Sequence, residues 1–389
     1  MTTFNKSLQA TAEEATYTLK DLVCYFLKLG SLGFGGPVAL VGRMHKDLVE
    51  EKEWIAEEEY RQGLALAQLA PGPLAAQLAI YLGYVHYRII GATAAGIAFV
   101  LPSFLMVIAL GFAYVSFGGL SWMQAVFYGI GAAVIGIISV GSYKLIRKSV
   151  GKDWLLWTIF AVLAVFTFLF EKESISLILI GSVIYCFVRT KPTFLFADGF
   201  ILLPFFLQAG FYHLSHPLQK LFWFFLKAGA FVFGSGLAIV PFLYGGVVKE
   251  YHWLSEQEFL DAVAVAMITP GPVVITVGFI GYLIAGFPGA SVAALATFLP
   301  CYLFTILPAP YFKRHGNHPA VKALVEGITA GAVGAIAGAV LVLAKRQFTD
   351  LISPAIALIT IFALLYFKKL QEPFIILVAA ALGLLIKRF

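Results

Sequence analysis

Hydrophobic and polar positions along the chain alternate between long apolar runs and short charged loops, and the runs form two matching series. The first series predicts helices near 22–42, 62–85, 89–116, 122–145, 154–170 and 174–189, and the second near 219–242, 260–284, 288–311, 319–343, 351–367 and 373–387. A helix needs ~20 apolar residues to cross a bilayer, so most of these runs are long enough. The last pair in each series has 17 residues or fewer, which suggests hairpins or partial shielding by protein. Residues 44–60 are rich in Glu, with Leu48, Trp54, Ile55 and Tyr60 as their apolar positions, the pattern of an amphipathic helix lying on a membrane surface. Between the series, residues 194–212 form a further apolar stretch interrupted by Asp198 and Pro204. The chain therefore divides into a polar tail (1–19), a first unit (20–190), a linker expected to cross once (191–218) and a second unit (219–389).

The two series share more than hydropathy. Phe26-Leu27-Lys28-x-Gly30-x-x-x-Phe34-Gly35 recurs 199 residues later as Phe225-Leu226-Lys227-x-Gly229-x-x-x-Phe233-Gly234. At the same offset Trp54 matches Trp253, Glu59 matches Glu258, and Pro71-Gly72-Pro73 matches Pro270-Gly271-Pro272. One residue is then dropped, and at offset 198 Gly83-Tyr84 matches Gly281-Tyr282 and Leu101-Pro102 matches Leu299-Pro300. Duplicated apolar halves of this kind are a transporter architecture.

Loop charges orient the halves. In the first, Arg88, Lys144, Arg147, Lys148 and Lys152 lie in the loops after the second and fourth runs, and only Lys172 lies in the loops after the third and fifth. In the second half the bias changes sides: Lys313, Arg314, Lys368 and Lys369 follow its third and fifth runs, against Lys345 and Arg346 in the others. Basic loops stay in the cytoplasm, so the second half is expected to be inverted. Six spans return a half to its starting side, so inversion requires 194–212 to cross. The expectation is an all-α polytopic membrane protein of two inverted repeats with broken helices and thirteen spans, with ten as the rival count.

Composition agrees, with 60% hydrophobic and only 12% charged residues, where a soluble domain carries about a quarter charged. The net charge of +6 fits basic span ends facing anionic lipid. It does not point to nucleic acid, since no basic run has interleaved aromatics. Cys24, Cys186 and Cys301 lie in apolar stretches without CxxC spacing and read as small buried hydrophobes. The first 20 residues lack a signal-peptide pattern, so the first span is expected to be its own insertion signal. Seven scattered histidines, no HExxH, no Walker A motif and no nucleophilic triad argue against an intramembrane enzyme or a self-contained ATP-driven pump, and call for no cofactor or metal. A homodimer is one open assembly state.

The candidate chemistry lies where helices should break. Gly33-Phe34-Gly35-Gly36-Pro37 interrupts the first run and Pro71-Gly72-Pro73 the second; Phe233-Gly234-Ser235-Gly236, Pro241 and Pro270-Gly271-Pro272 interrupt their counterparts. Glycine costs ~1 kcal/mol and proline ~3 kcal/mol in a helix interior, and broken helix is tolerated in a bilayer only where protein or water satisfies the freed groups. Such breaks expose N–H groups at a half-helix N-terminus, an anion site. Single breaks of this type are also packing devices; four at equivalent places favour a binding role. Lys28 and Lys227 are the repeated basic residues inside the runs, and read either as functional charges or as snorkelling side chains. Arg43 and His45 follow the first break as an entrance charge or a solvated loop. Trp54 and Trp253 suit interfacial anchors. Glu59 and Glu258 suit helix N-termini, with gating or proton coupling as the sharper alternative. Glu326 sits in an apolar run opposite Tyr128 as a candidate proton carrier, and Gln68 and Gln77 flank the first Pro-Gly-Pro as substrate donors or helix contacts.

With Phe34-Gly35-Gly36-Pro37, the Trp-containing surface segment, Pro71-Gly72-Pro73 and the whole unit duplicated, the chain resembles the chromate ion transporter family in its long two-domain form, over roughly residues 20–389. The resemblance implies efflux of chromate from the bacterial cytoplasm across the inner membrane, conferring chromate resistance, with sulfate as a structural analogue. Gly234-Ser235-Gly236 departs from the Gly-Gly-Pro pattern, so the first copy is expected to carry more of the anion chemistry. A sulfate or other oxyanion carrier and an anion channel are the rival functions.

Overall fold

The computed structural model describes residues 17–33, 36–117, 121–170, 174–190, 217–232, 239–310, 319–348, 350–367 and 372–387. Among them it is all-helical, with no strand. The expected linker crossing at 194–212, and Gly35, Gly234, Ser235 and Gly236 of the candidate breaks, lie outside the described residues.

The first unit opens with α1 (Leu19–Leu32), started by a capping box: Thr18 Oγ1 accepts from Asp21 N at 3.2 Å, and Asp21 Oδ2 accepts from Thr18 N at 3.0 Å. After the Gly33 break comes α2 (Gly36–His45), which widens into a π-helical segment, Lys46–Glu51. These two helices form a hairpin rather than one through-going helix. Tyr25 Oη of α1 donates to Asp47 Oδ2 at 3.2 Å, and the Tyr17 ring at the outer end of α1 stacks on Trp54, centroids 4.8 Å apart. The next pair repeats the plan. α3 (Glu57–Leu69) runs inward, the chain breaks at Pro71-Gly72-Pro73, and α4 (Leu74–Phe117) runs back before bending sharply at Arg88, whose φ is 52°. His86 Nε2 lies 3.9 Å from Glu59 Oε2, and Tyr17 Oη is 2.7 Å from His86 Nδ1. Four outer ends therefore meet around Tyr17. The runs expected as spans at 22–42 and 62–85 are doubled back, because glycine and proline at their centres stop each helix after about four turns.

Beyond Arg88, residues 89–117 form the long outer arm of α4, followed by α5 (Ser121–Ser149) and the shorter α6 (Trp154–Phe170) and α7 (Ile175–Thr190). The second unit has the same order. α8 (Pro217–Ala230) and α9 (Ile239–Leu243) with its π-helical segment Tyr244–Glu250 form its first pair, and α10 (Glu256–Ile268) leads to the next break. A 3-10 turn, Val273–Ile275, opens α11 (Thr276–Ile306), which bends at Ala285 and Gly286. Then come α12 (Pro319–Gln347), α13 (Ile352–Tyr366) and α14 (Glu372–Lys387).

The outer arms of α4 and α11 pack antiparallel. Thr93 Oγ1, early in one arm, is 2.7 Å from Tyr302 Oη, late in the other. At the other end Gly111 lies against the ring of Tyr282, three residues before the α11 bend. Gly30 explains the repeated Lys-x-Gly: a Cβ there would fall on the Phe99 carbonyl of α4, and one at its counterpart Gly229 on the Thr297 carbonyl of α11. The short terminal pairs are exchanged. The α6–α7 pair packs on α12, and α13 with α14 packs on α5. Asp153, Tyr185 and Arg189 tie the outer ends of α6 and α7 together, as the short runs led one to expect of a hairpin.

Among the described residues, four helices are long and apolar enough to cross a membrane, Leu74–Phe117, Gln124–Lys144, Val273–Ile306 and Lys322–Lys345, and four further apolar helices are shorter. Ile90, Phe112, Val115, Leu295 and Leu358 are exposed on their outer faces, an apolar surface that only lipid or another protein can cover favourably. This is the architecture of a polytopic membrane protein. One expectation is corrected: Cys24 is exposed on α1, while Cys186 and Cys301 are buried. Cys24 falls on the face turned away from Leu22, Phe26 and Leu29, the residues that α1 buries.

Candidate functional site

The breaks meet pairwise across the two units. Gly72 N donates to Val232 O at 2.6 Å, and Gly271 N donates to Gly33 O at 2.9 Å. Gly72 and Gly271 are counterparts, as are Gly33 and Val232, so the two bonds form a reciprocal pair. Each Pro-Gly-Pro glycine thus satisfies a carbonyl freed by the other unit's first break. Only glycine suits the position: φ is +145° at Gly72 and +96° at Gly271, and a Cβ on Gly271 would strike Ser103 Oγ. Ser103 is fully buried and donates to Pro270 O at 2.7 Å. Within the first unit the hairpins are held together by Tyr60 Oη, which donates to Val41 O at 2.6 Å.

The two copies differ in what they leave open beside these contacts. In the first, α4 starts at Leu74 directly after Pro73, and its first helical bond is Gln77 N to Pro73 O at 3.0 Å. The N–H groups of Leu74, Ala75 and Ala76 precede that bond and have no helical acceptor, although these residues are only 7%, 3% and 0% exposed. Gln77 is fully buried; its Nε2 donates to Pro71 O at 2.9 Å, and its Oε1 has no partner. In the second copy the 3-10 turn closes the equivalent end. Ile275 N donates to Pro272 O at 2.9 Å, and Thr276 Oγ1 donates to Val273 O at 2.7 Å. A buried N-terminus with open N–H groups attracts anions, and only the first copy presents one of this length.

The other sequence candidates are placed elsewhere. Gly36 and Pro37 open α2, a position where proline's missing N–H costs little. Lys28 is exposed on the face of α1 opposite its packed residues, Lys227 is half-buried on α8, and neither has a carboxylate partner among the described residues. Arg43 sits in the last turn of α2 and pairs with Asp47 at 3.6 Å. His45, read as a loop residue, ends α2 between Glu50 at 3.1 Å and Glu57 at 2.7 Å. The His45 contact, and then Arg61 Nε, which donates to Glu57 Oε1 at 2.7 Å, hold the Glu57 carboxyl below the usual range. Glu59 and Glu258 are capping residues: Glu59 Oε2 accepts from Ala56 N at 3.2 Å, and Glu258 Oε2 from Ser255 N at 2.8 Å. Glu326 is exposed near the start of α12, accepting from Tyr185 Oη at 3.3 Å. Gln68 is exposed on α3. The structure therefore brings Gly72, Pro270 and Gly271 together with Gly33 and Val232, and leaves the charged candidates at the periphery.

Two residues escaped the sequence reading. Ser103 has Cys301 as its counterpart, and Asp261, buried in α10, has Gln62. Neither belongs to a repeated motif. A carboxylate inside the run Phe259-Leu260-Asp261-Ala262-Val263 was nonetheless a signal in itself.

Comparison with known proteins bears on the whole chain. The family model described as chromate transporter matches residues 20–187 and 219–384. The "Chromate transport protein" of Cupriavidus metallidurans is 65% identical over 374 residues, covering 95% of this chain and 93% of that protein. The "Probable chromate transport protein" of Synechococcus elongatus is 58% identical over 377 residues, covering 95% and 96%. No solved structure matches the chain.

Proposed function

The chain belongs to the chromate transporter family and is a transport protein rather than an enzyme, and on that premise we propose that it exports chromate from the bacterial cytoplasm across the inner membrane. The observation that carries the site assignment is the reciprocal pair Gly72 N–Val232 O and Gly271 N–Gly33 O, which gathers broken helices from both units. The substrate, a tetrahedral dianion, is placed at the open N–H groups of Leu74–Ala76, beside Pro71–Pro73. Pro270–Pro272 forms the facing tip, and Gly35, Gly36, Pro37, Gly234, Ser235 and Gly236 are kept as substrate-binding candidates from their repeated motif. Gln77 Oε1 offers an acceptor to water on the anion. Lys28, Lys227 and Arg43 contribute positive field from the periphery rather than contacts.

The antiparallel outer arms and the exchanged loop charges support an inverted repeat. Doubling back two broken runs per unit lowers thirteen crossings by four to nine and leaves the parity of each half unchanged, so inversion still calls for one crossing between the units. An inside-negative potential favours exit of a dianion, since moving one charge through 100 mV is worth about 2.3 kcal/mol. Proton or anion exchange adds to that drive, and resistance to chromate follows from export.

Radiolabelled chromate and sulfate flux in proteoliposomes, with voltage and pH gradients imposed separately, tests this reading. Chromate flux that responds to voltage and is lost on replacing Pro71-Gly72-Pro73 by three alanines, in protein still inserted, is the expected result. Preference for sulfate would instead indicate a carrier for that oxyanion, and flux far above carrier rates an anion channel. Full transport by the triple variant would overturn the site.

A further inference from the structure

Asp261 is 3% exposed in α10, one helical turn below the exposed Gln257, itself the second residue of the helix. Its carboxylate accepts two hydrogen bonds, from Tyr114 Oη of the α4 outer arm at 2.7 Å and from Gln257 Nε2 at 2.8 Å. No cation pairs with it among the described residues. The charge that acts on it is Glu258, which is of the same sign. Glu256, also on α10, is engaged by Lys249 at 3.1 Å and Tyr244 at 3.2 Å from the π-helical segment. Among the described residues, the other helices packed on α10 (α5, α11 and α14) bring no charge to the carboxyl. A buried carboxylate without a counter-ion is expensive, and taking up a proton relieves that cost.

We propose that Asp261 is a proton-binding site that couples proton movement to the anion cycle. Its partners serve both charge states: Tyr114 Oη donates to the carboxylate and accepts from the carboxylic acid. The exposed Gln257 and half-exposed Glu258 link the site to the aqueous face at the outer end of α10. Transmission to the breaks is built into two helices. The α4 outer arm grips α10 through Tyr114 at Asp261, and grips the Pro-Gly-Pro tip that follows α10 through Ser103 at Pro270, 2.7 Å away. A change in the first grip alters the seating of the second, at the tip where Gly271 meets Gly33. The first unit has no second copy of the site. Gln62 occupies the equivalent position and donates to Glu58 Oε1 at 2.9 Å, and an amide cannot titrate. One such proton site per chain is therefore assigned.

This inference rests on the transport reading for its consequence, but the proton site itself can be tested without chromate. In purified full-length protein, infrared difference spectra between high and low pH should show the carbonyl band of a buried carboxylic acid, absent in Asp261→Asn. In Tyr114→Phe the band's midpoint should rise by about one pH unit, because a donor to the charged form is lost. In proteoliposomes, chromate flux through Asp261→Asn should no longer vary with an imposed pH gradient, whatever its absolute rate, and Asp261→Glu should restore the dependence. A carbonyl band that survives in Asp261→Asn, or flux through that variant that still follows the pH gradient, would overturn the proposal. A band that titrates and disappears as expected in a protein that moves no chromate would refute the substrate and leave the proton site standing.

Discussion

At the scale of single residues, the repeat is legible because close backbone approach admits only one amino acid. Gly30 lies against the Phe99 carbonyl and Gly229 against the Thr297 carbonyl, so the glycine recurs although the residues it meets, Phe and Thr, do not. Gly30→Ala should lower thermal stability in detergent by ~1–3 kcal/mol, the cost of overpacking a filled contact. Gly42→Ala is the control: it too is helical, but a Cβ there meets nothing within 4 Å. That change should leave stability unaltered or raise it by up to ~1 kcal/mol. Equal melting shifts for the two would show that the α1–α4 contact is not as close as described. Unrepeated side chains had no such signature. Ser103 and Asp261 act across the units, and nothing local in the sequence announces a partner more than 140 positions away.

At the scale of elements, hydropathy located nearly every helix and misread the path of four. A run of ~20 apolar residues satisfies the length rule whether it crosses or turns back. The Gly and Pro positions marked the breaks, but the reversal of direction is set by contacts such as Tyr25–Asp47 and Glu59–His86, which pair residues far apart in sequence. The short terminal helices are a second case: their length suggested hairpins, yet their docking on the opposite unit was invisible. That docking depends in part on loop carboxylates. Tyr128 of α5 donates to Asp350, just before α13, and this bond, with the Ser353 N–H next, holds the Asp350 carboxyl down at about 2. A depressed carboxylate stabilises the fold above its ordinary value of 3.8 and loses that contribution as pH falls through about 2. Asp350→Asn should therefore melt below the wild type at neutral pH. The gap should hold down to the ordinary aspartate range and close only in stronger acid, as read by thermal denaturation across a pH series. A gap that closes near neutrality would assign the effect to another group.

At the scale of the whole molecule, the decisive question is which face of the bilayer each unit starts from. The loop charges change sides between the units, the outer arms run antiparallel, from Thr93–Tyr302 at one end to Gly111 beside Tyr282, just before the α11 bend, at the other, and the two glycine bonds at the breaks are reciprocal. A parallel duplication would give the reciprocal bonds but neither of the first two, because its equivalent arms would point the same way. Ile89 and Phe287 are counterparts, each the first residue beyond a sharp bend, and they are 61% and 59% exposed. Single cysteines at these two positions, in a background lacking Cys24, Cys186 and Cys301, should therefore emerge on opposite faces. Basic loops mark the Ile89 side as cytoplasmic, so a membrane-impermeant maleimide added to intact cells should label Phe287→Cys and spare Ile89→Cys, with the order exchanged in inside-out vesicles. Labelling of both from the same face would remove the inverted repeat. The reciprocal Gly72 and Gly271 bonds would stand, since any two-fold relation between the units allows them, and the axis relating the units would then run along the membrane normal.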